Sequence, residues 1–171
     1  TNFEKLMAGH NFYPRPETGL EAHWMQERNE WLHKYDLKTA AFIAGNGKLR
    51  GPLFAGLPTL EKQRYENPLA AILELRKYGC DNVFVGDPQI TRDAIESITN
   101  YEKEKALTLH IDTDVSELLE NKWHNRPDVA RDVVRLKESR EKRFLPTFPQ
   151  DNVYARPKGS VTMDNNLYQR Y

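Results

Sequence analysis

The chain has 171 residues, of which 39% are hydrophobic, and this is enough for one ordinary domain or for parts of two. Its 25 lysines and arginines balance its 25 acidic residues, so the overall charge excludes a general binder of nucleic acid or of anionic membranes. Any bound anion must be held by a local cluster of side chains. No apolar run approaches the ~20 residues of a membrane-spanning helix, and the single Cys80 is typical of a protein from a reducing compartment.

The first distinctive segment is GHNFYPRPETGL, residues 9–20, which places polar side chains around two prolines. Proline fixes its own φ angle and restricts the residue before it, so Tyr13 and Arg15 are expected to be extended. A helix is predicted to begin at Thr18, whose hydroxyl would cap it, with Glu21 completing a capping box. The segment therefore has the pattern of a strand end, a rigid polar loop and a helix start.

Beyond this loop, short apolar runs alternate with capped helical patterns. Residues 38–45, KTAAFIAG, have the pattern of a buried strand, and Asn67 precedes a helix whose C-terminal glycine is Gly79. Residues 81–88, DNVFVGDP, contain a second apolar strand, and Thr91 caps the helix after it. This alternation predicts an α/β fold with a parallel sheet. Strands are expected near three residues: Phe12, Phe42 and Val85.

The stretch between Gly45 and Asn67 does not fit the alternation. It has room for a short strand at residues 53–56, but not for a full crossover helix before that strand, because a parallel connection needs about a dozen residues. Either one helix is degenerate here or the region is an elaborate loop.

The pattern changes after about Lys105. The segment ALTLHID alternates apolar and polar residues, which is typical of a strand, and two more strands are predicted around Pro157 and Gly159. A helix is predicted over residues 127–143. We place a domain boundary at residues 104–106, so the predicted domains comprise residues 1–105 and 106–171.

Five motifs in order resemble the bacterial 6-phospho-N-acetylmuramidase family: the polar loop, RGPLFAGLPTLEKQR, VFVGDP, HNRPDVARDVVRLKESR and RPKGSVTMDNNLYQRY. The resemblance runs from about His10 to Tyr171. It implies a (β/α)8 TIM barrel, here its C-terminal half, followed by the start of a β-rich cyclophilin-like domain. A closed barrel needs about 250 residues, and family members continue beyond YQRY, so we expect this chain to be an internal portion of a longer protein.

A barrel places its chemistry in the loops at the C-terminal ends of its strands. A glycosidase needs two carboxyl groups that flank the scissile bond, one to protonate the leaving oxygen and one to attack or to activate water. The candidate catalytic residues are Glu17, in the polar loop, and Asp87, which ends its strand after Gly86. Asp-Pro is also an ordinary turn opener, and strands absent from this chain are a second source of catalytic carboxyls.

Arginine suits a sugar phosphate because its planar guanidinium grips a phosphate or carboxylate in two places. Glu61 has an open alternative: with Lys62 and a nearby arginine beside it, it is equally a salt-bridged residue at a helix start. No two histidines have metal-ligand spacing, so no metal or cofactor is expected. The candidate substrate-binding residues are Asn11, Tyr13, Arg15, Arg50, Glu61, Arg64, Arg156 and Lys158.

The resemblance implies a cytoplasmic glycoside hydrolase that cleaves 6-phospho-N-acetylmuramic acid from N-acetylglucosamine in cell-wall (peptidoglycan) recycling. Its expected partner is this small phosphorylated amino sugar, and neither nucleic acid nor a membrane is expected. The alternative is a non-catalytic protein that binds a sugar phosphate in the same pocket.

Overall fold

The computed structural model describes residues 6–111, 116–119, 121–138 and 159–160. Contacts divide the chain into two compact units, Thr1–Thr108 and Leu109–Tyr171. The elements of the first unit are, in order, β1 (Met7–Gly9), α1 (Ala22–His33), β2 (Lys38–Ile43), α2 (Pro68–Lys77), β3 (Asn82–Val85) and α3 (Arg92–Glu104). The second unit contains one described helix, α4 (Ser116–Leu119).

The three strands form a parallel sheet in the order β1-β2-β3. Helices separate the strands along the chain, so the α/β class is confirmed, as are the strands expected near Phe42 and Val85. The strand expected near Phe12 ends earlier, at Gly9. The pairing continues for one further residue, because the His10 N–H donates to the Ala40 carbonyl at 2.8 Å, and the chain then turns away as the polar loop.

The core of the first unit is built from one face of β2 and the inner faces of α1 and α2. Its buried members are Met25, Ala41, Ile43, Leu60, Ala71, Ile72, Leu75 and Cys80. Burying one large aliphatic side chain contributes about 1.5–3 kcal/mol, so this cluster is what fixes α1 and α2 against β2. Cys80 has the buried role expected of a lone cysteine, and burial raises the pKa of its thiol to about 11.

Helix α1 begins later than its capping pattern predicts. The Thr18 hydroxyl donates to the Arg15 carbonyl at 2.5 Å and closes a turn, so the predicted Thr18 cap is wrong. Glu21 is the cap instead, and its carboxylate accepts from the Trp24 N–H at 2.9 Å. The start is delayed because the backbone of Leu20 pairs with the distant Leu60, a contact that local sequence does not contain.

The boundaries of α2 and α3 are those that the sequence predicts. The Asn67 side chain accepts from the Leu69 N–H at 2.9 Å, and Gly79 follows α2 with a φ of +78°. Thr91 caps α3 by accepting from the Ala94 N–H at 3.4 Å. All of these interactions join near neighbours in sequence, which is why the residue types alone predict them.

Removing the Asn67 cap is expected to destabilise α2. Asn67→Ala leaves the first N–H groups of the helix unpaired and should cost about 1 kcal/mol, measured as the shift in a urea unfolding curve. Asn67→Asp keeps the accepting oxygen and is the matched control. An equal loss in both variants would show that the cap is not the cause.

The region between β2 and α2 is an elaborate loop, and the strand predicted at residues 53–56 is wrong. A short 3-10 turn, Glu61–Gln63, comes before α2, which serves as the crossover helix. Phe54 has a φ of +50°, which an extended strand does not allow. The carbonyls of Ala55 and Gly56 accept from the Arg64 guanidinium, so they are not available to a neighbouring strand.

The second unit departs from its predicted elements where it is described. The helix predicted over residues 127–143 is wrong through residue 138, where Asn125 and Leu136 instead form an antiparallel bridge. The guanidinium groups of Arg126 and Arg135 both pair with Asp128, which holds the chain in this bent form. The strand predicted in ALTLHID is absent as far as residue 111. The strand predicted around Pro157 lies outside the described residues, and of the one around Gly159 only residues 159 and 160 are described.

Candidate functional site

Three loops follow the C-terminal ends of the three strands, and they carry most of the candidate residues. We call residues 10–21 the β1 loop, residues 44–60 the β2 loop and residues 86–91 the β3 loop. The first two are joined by hydrogen bonds: the Tyr13 N–H donates to the Pro58 carbonyl at 3.0 Å, and the Thr59 hydroxyl donates to the Asn11 carbonyl at 2.9 Å. In parallel α/β sheets, ligands bind at this end of the strands.

Asp87 lies at the centre of the β2 and β3 loops, with 7% of its surface exposed. Its Oδ2 accepts from the backbone N–H groups of Gly45 at 2.8 Å and Leu57 at 3.0 Å. Its Oδ1 accepts from the Arg50 N–H at 3.0 Å. One carboxylate therefore fastens both ends of the β2 loop to the end of β3.

The close approach of these loops requires glycine at two positions. A Cβ at Gly45 would lie 2.4 Å from the Gln89 carbonyl oxygen, and one at Gly86 would lie 2.2 Å from the Leu57 carbonyl oxygen. Both contacts are with backbone, which cannot move aside without breaking the bonds to Asp87. The glycines thus permit the geometry that the carboxylate holds.

The guanidinium of Arg64 is a second fastening point, and its side chain is only 2% exposed. Its Nε and Nη2 donate to the Glu61 carboxylate at 2.7 and 2.6 Å. Its Nη1 donates to the Gly56 carbonyl at 2.9 Å and more weakly to that of Ala55, and Nη2 also donates to the Arg15 carbonyl at 3.1 Å. All five N–H groups of a guanidinium are thereby used.

Glu61 completes this fastening from the other side. Its Oε2 accepts from the Gly19 N–H at 2.8 Å as well as from Arg64. The hydrogen bonds from Arg64, with smaller contributions from the backbone of Glu17 and Gly19, lower the pKa of Glu61 to about 2. Glu61 was open to two interpretations, a substrate-binding residue or a salt-bridged residue at a helix start, and the structure contains the salt bridge. Through Gly19 and Arg64, this salt bridge connects the β1 loop to the β2 loop.

Glu17 and Arg15 lie in the β1 loop, and both are exposed. Neither the Glu17 carboxylate nor the Arg15 guanidinium has a partner among the residues that the structure describes. Glu17 has a φ of +70°, an unusual value for a residue with a Cβ, and the Arg15 carbonyl is held by both Thr18 and Arg64. Two side chains of opposite charge are thus presented to solvent on a fixed backbone.

The remaining described candidates are Asn11, Tyr13 and Arg50. The Asn11 amide oxygen accepts from the adjacent Phe12 N–H at 2.9 Å, and Tyr13 is half-buried. The Arg50 guanidinium lies 5.9 Å from the ring centre of Phe12, within cation–π range. Phe12 in turn packs edge-on against Phe42 with a centroid distance of 5.3 Å. The two other candidates, Arg156 and Lys158, lie outside the described residues.

A surface depression of about 250 Å³ opens beside the β2 loop. Its lining includes Asn46, Leu49, Arg64 and Tyr65, so of the candidate residues it contains Arg64 alone. Since every N–H of Arg64 already has a protein acceptor, the depression offers little to an anion. The chemistry at the strand ends lies instead in the exposed groups around Arg15 and Arg50.

The described part of the chain contains neither a cluster of metal-binding side chains nor a membrane-spanning helix. There, no group of three His, Cys, Asp or Glu side chains converges as metal ligands do. No helix in the same residues combines the length and the apolar character needed to cross a membrane.

A family model described as "6-phospho-N-acetylmuramidase, N-terminal" matches residues 1–100, and one described as "6-phospho-N-acetylmuramidase, C-terminal" matches residues 104–171. The chain belongs to the 6-phospho-N-acetylmuramidase family. The predicted resemblance is thus confirmed over nearly the whole sequence. A search of curated proteins gives no match.

Two solved structures resemble this member of the 6-phospho-N-acetylmuramidase family. One is the crystal structure of a conserved protein of unknown function from Enterococcus faecalis, with 39% identity and a TM-score of 0.84. The match covers 99% of this chain and 47% of the E. faecalis protein. The other is the crystal structure of an uncharacterized B. cereus protein, with 28% identity and a TM-score of 0.66. That match covers 98% of this chain and 51% of the B. cereus protein. This chain therefore spans about half the length of its solved relatives.

The sequence did not reveal the partners of the charged residues in these loops. Asp87 was expected from its position after Gly86, but its three backbone donors come from residues 30 to 42 positions away. Tyr13 is the one aromatic side chain among the candidate residues, so the contacts of Phe12 with Arg50 and with Phe42 do not follow from the sequence reasoning.

Proposed function

We propose that the protein is a glycosidase that cleaves 6-phospho-N-acetylmuramic acid from N-acetylglucosamine, acting in the cytoplasm during peptidoglycan recycling. The observation that carries this proposal is the pair of exposed charges, Arg15 and Glu17, on a β1 loop that Arg64 and Glu61 hold in place. An exposed cation and an exposed carboxyl on the loop that follows β1 suit a phosphorylated sugar and acid-assisted bond cleavage. The family match supports the choice of substrate.

The proposed reaction proceeds through an oxocarbenium-like transition state. Glu17 is the proposed acid, because its carboxyl is exposed to an incoming substrate. Asp87 is the proposed second carboxyl. Its three backbone contacts leave about one of the roughly four acceptor positions of a carboxylate. That position is proposed to accept a proton from the water that attacks the anomeric carbon, while the Glu17 proton goes to the leaving oxygen.

The proposed recognition of substrate divides between exposed and buried residues. Arg15 and Arg50 are proposed to bind the phosphate and the lactyl carboxylate, with Asn11 and Tyr13 contacting the sugar. Arg156 and Lys158, in the second domain, stay predicted substrate-binding residues. The buried pair of Glu61 and Arg64 is proposed to act on substrate indirectly, by fixing the β1 loop.

We further propose that residues 1–105 form half of a TIM barrel and that residues 106–171 open a cyclophilin-like domain. Three parallel strands separated by helices are the repeating unit of such a barrel. The solved relatives are about twice as long as this chain, which is enough length for the remaining strands.

The isolated 171 residues are expected to show no turnover, whereas the native protein that carries them releases N-acetylglucosamine from the phosphorylated disaccharide. The reason is that a closed barrel requires about 250 residues. Release of the sugar is measured by chromatography on equal molar amounts of both proteins. Turnover by the 171 residues at the rate of the native protein would contradict the proposed half-barrel.

The second candidate function is a non-catalytic protein that binds a sugar phosphate. The observation that favours it is that Asp87 is occupied by three backbone donors, which leaves Glu17 as the exposed carboxyl of the proposed pair. A crystal of the native protein soaked with the phosphorylated disaccharide separates the two functions. Cleaved sugar supports the glycosidase, and intact sugar supports the binding protein.

A further inference from the structure

The middle of the β2 loop is a small closed loop, residues 50–57, which we call the tip loop. Its two ends are joined by one carboxylate, because Asp87 accepts from the N–H of Arg50 through Oδ1 and from that of Leu57 through Oδ2, each at 3.0 Å. Within it, the Phe54 N–H donates to the Arg50 carbonyl at 3.3 Å. Arg64 holds the carbonyl of Gly56 at 2.9 Å. The backbone of the tip loop is therefore fixed at its base and along its returning side.

Phe54, in this fixed loop, is unfavourable to folding in two respects. Its φ of +50° is a left-handed conformation, which costs a residue with a Cβ about 1 kcal/mol. Its side chain is 63% exposed, so the ring gains little from burial. Glycine or asparagine would adopt this backbone more readily. Strained residues that the surrounding structure holds in place are concentrated at ligand clamps and active sites.

The position of the ring indicates what it would contact. A Cβ built on Gly51 would lie 3.0 Å from Cζ of Phe54, so the ring rests over Gly51, next to Arg50. The Arg50 guanidinium lies 5.9 Å from the ring centre of Phe12, in the β1 loop. An exposed aromatic ring and a cation thus belong to the same tip loop, which follows the carboxyl end of β2. A ligand that fits both has an apolar face and an anionic group.

We propose that Phe54 is a specificity-determining residue of the sugar site. Its ring packs against the C–H face or the acetyl and lactyl methyl groups of the amino sugar, while Arg50 binds the anionic substituent. Pockets for small ligands commonly combine aromatic surface with a few placed polar groups in this way. The inference rests on the proposed function, and it adds the residue that supplies the apolar contact to the sugar.

The test uses the native protein with Phe54→Asn, Phe54→Gly and Phe54→Tyr. Asn and Gly relieve the backbone, so the melting temperature should stay level or rise by about 2–4 °C. Loss of the aromatic contact should raise KM for the phosphorylated disaccharide about tenfold, equivalent to ~1.4 kcal/mol, with kcat changed less than KM. Phe54→Tyr keeps the ring and should retain the KM of the unaltered protein. Leu53→Asn is the matched control, because Leu53 is 53% exposed on the same loop, and its KM should change less than twofold.

The outcomes distinguish this inference from the proposed function. If the unaltered protein cleaves the disaccharide and Phe54→Asn and Phe54→Gly keep its KM, Phe54 is not a specificity residue. The same conclusion follows if the two variants lose melting temperature and kcat together, or if Leu53→Asn raises KM equally. If the unaltered protein neither cleaves nor binds the disaccharide, the proposed function fails and this inference fails with it.

Discussion

Replacing Arg64 by methionine is expected to destabilise the first unit by about 3–5 kcal/mol, because it leaves a buried charge network without its cation. The Glu61 carboxylate, the carbonyls of Gly56 and Arg15, and the loops they belong to would all lose a partner. The effect is measured as the free energy of unfolding in urea, on the native protein.

The matched control for this variant is Arg76→Met. Arg76 also forms an arginine–glutamate ion pair, with Glu102 on α3, but both side chains are more than 40% exposed. An exposed pair contributes about 1 kcal/mol or less. Similar losses in Arg64→Met and Arg76→Met would contradict the fastening role assigned to Arg64.

The ion pair between Glu61 and Arg64 also predicts that stability depends on pH in the acid range. The pKa of Glu61 is about 2 in the folded protein, against an ordinary value of 4.5. Because the folded value is the lower one, the contribution of Glu61 is complete above about pH 4.5 and is lost as the pH falls toward 2. Between pH 5 and pH 2 the unfolding free energy of the unaltered protein should therefore fall by about 2–3 kcal/mol more than that of Glu61→Gln, which has no carboxyl to protonate at this position. Parallel acid profiles of the two proteins would contradict the assigned pKa.

Replacing Arg15 by methionine is expected to cost about 2–4 kcal/mol of substrate or transition-state binding. Pro14 and Pro16 restrict the backbone on both sides, and the Arg15 carbonyl is held by Arg64 and Thr18. Little conformational entropy is therefore lost when the guanidinium meets an anion. The effect is measured as kcat/KM of the native protein on the phosphorylated disaccharide.

Two comparisons distinguish the loss of a contact with an anion from a general effect on structure. Activity on the unphosphorylated analogue should suffer less, because the lost contact is with an anion. Arg92→Met, which removes an arginine that is 90% exposed on α3, should leave kcat/KM unchanged. Equal losses on both substrates, or a large drop in melting temperature, would make Arg15 a structural tie and leave Arg50 as the next candidate.

The elements that the sequence predicted well are those whose causes are local. Helix α2 lies between Asn67 and Gly79 because the cap and the left-handed glycine act within a few residues. The predicted start of α1 is wrong because a partner far along the chain outcompetes local preference, and the helix predicted over residues 127–138 is wrong because Arg126 and Arg135 both pair with Asp128. Thr18 is a sound cap by residue type, yet the pairing of Leu20 with Leu60 draws the chain away from helical geometry.

The candidate site shows the same division. That Arg15 and Glu17 would be presented by a stiff loop follows from the two prolines and from their position at a strand end. That Arg64 would be buried with all its donors used does not follow, because its acceptors include the Arg15 carbonyl, 49 residues away. The strain at Phe54 likewise comes from how Asp87 closes the tip loop, and no residue type near Phe54 indicates it.

Incubation of the native protein with the disaccharide of 6-phospho-N-acetylmuramic acid and N-acetylglucosamine, followed by mass spectrometry of the products, distinguishes a glycosidase from a binding protein. We expect release of N-acetylglucosamine at a rate that falls when the 6-phosphate is absent and falls further in Glu17→Gln. Recovery of intact disaccharide bound to the protein, with no released sugar, would contradict the proposed glycosidase and favour the binding protein.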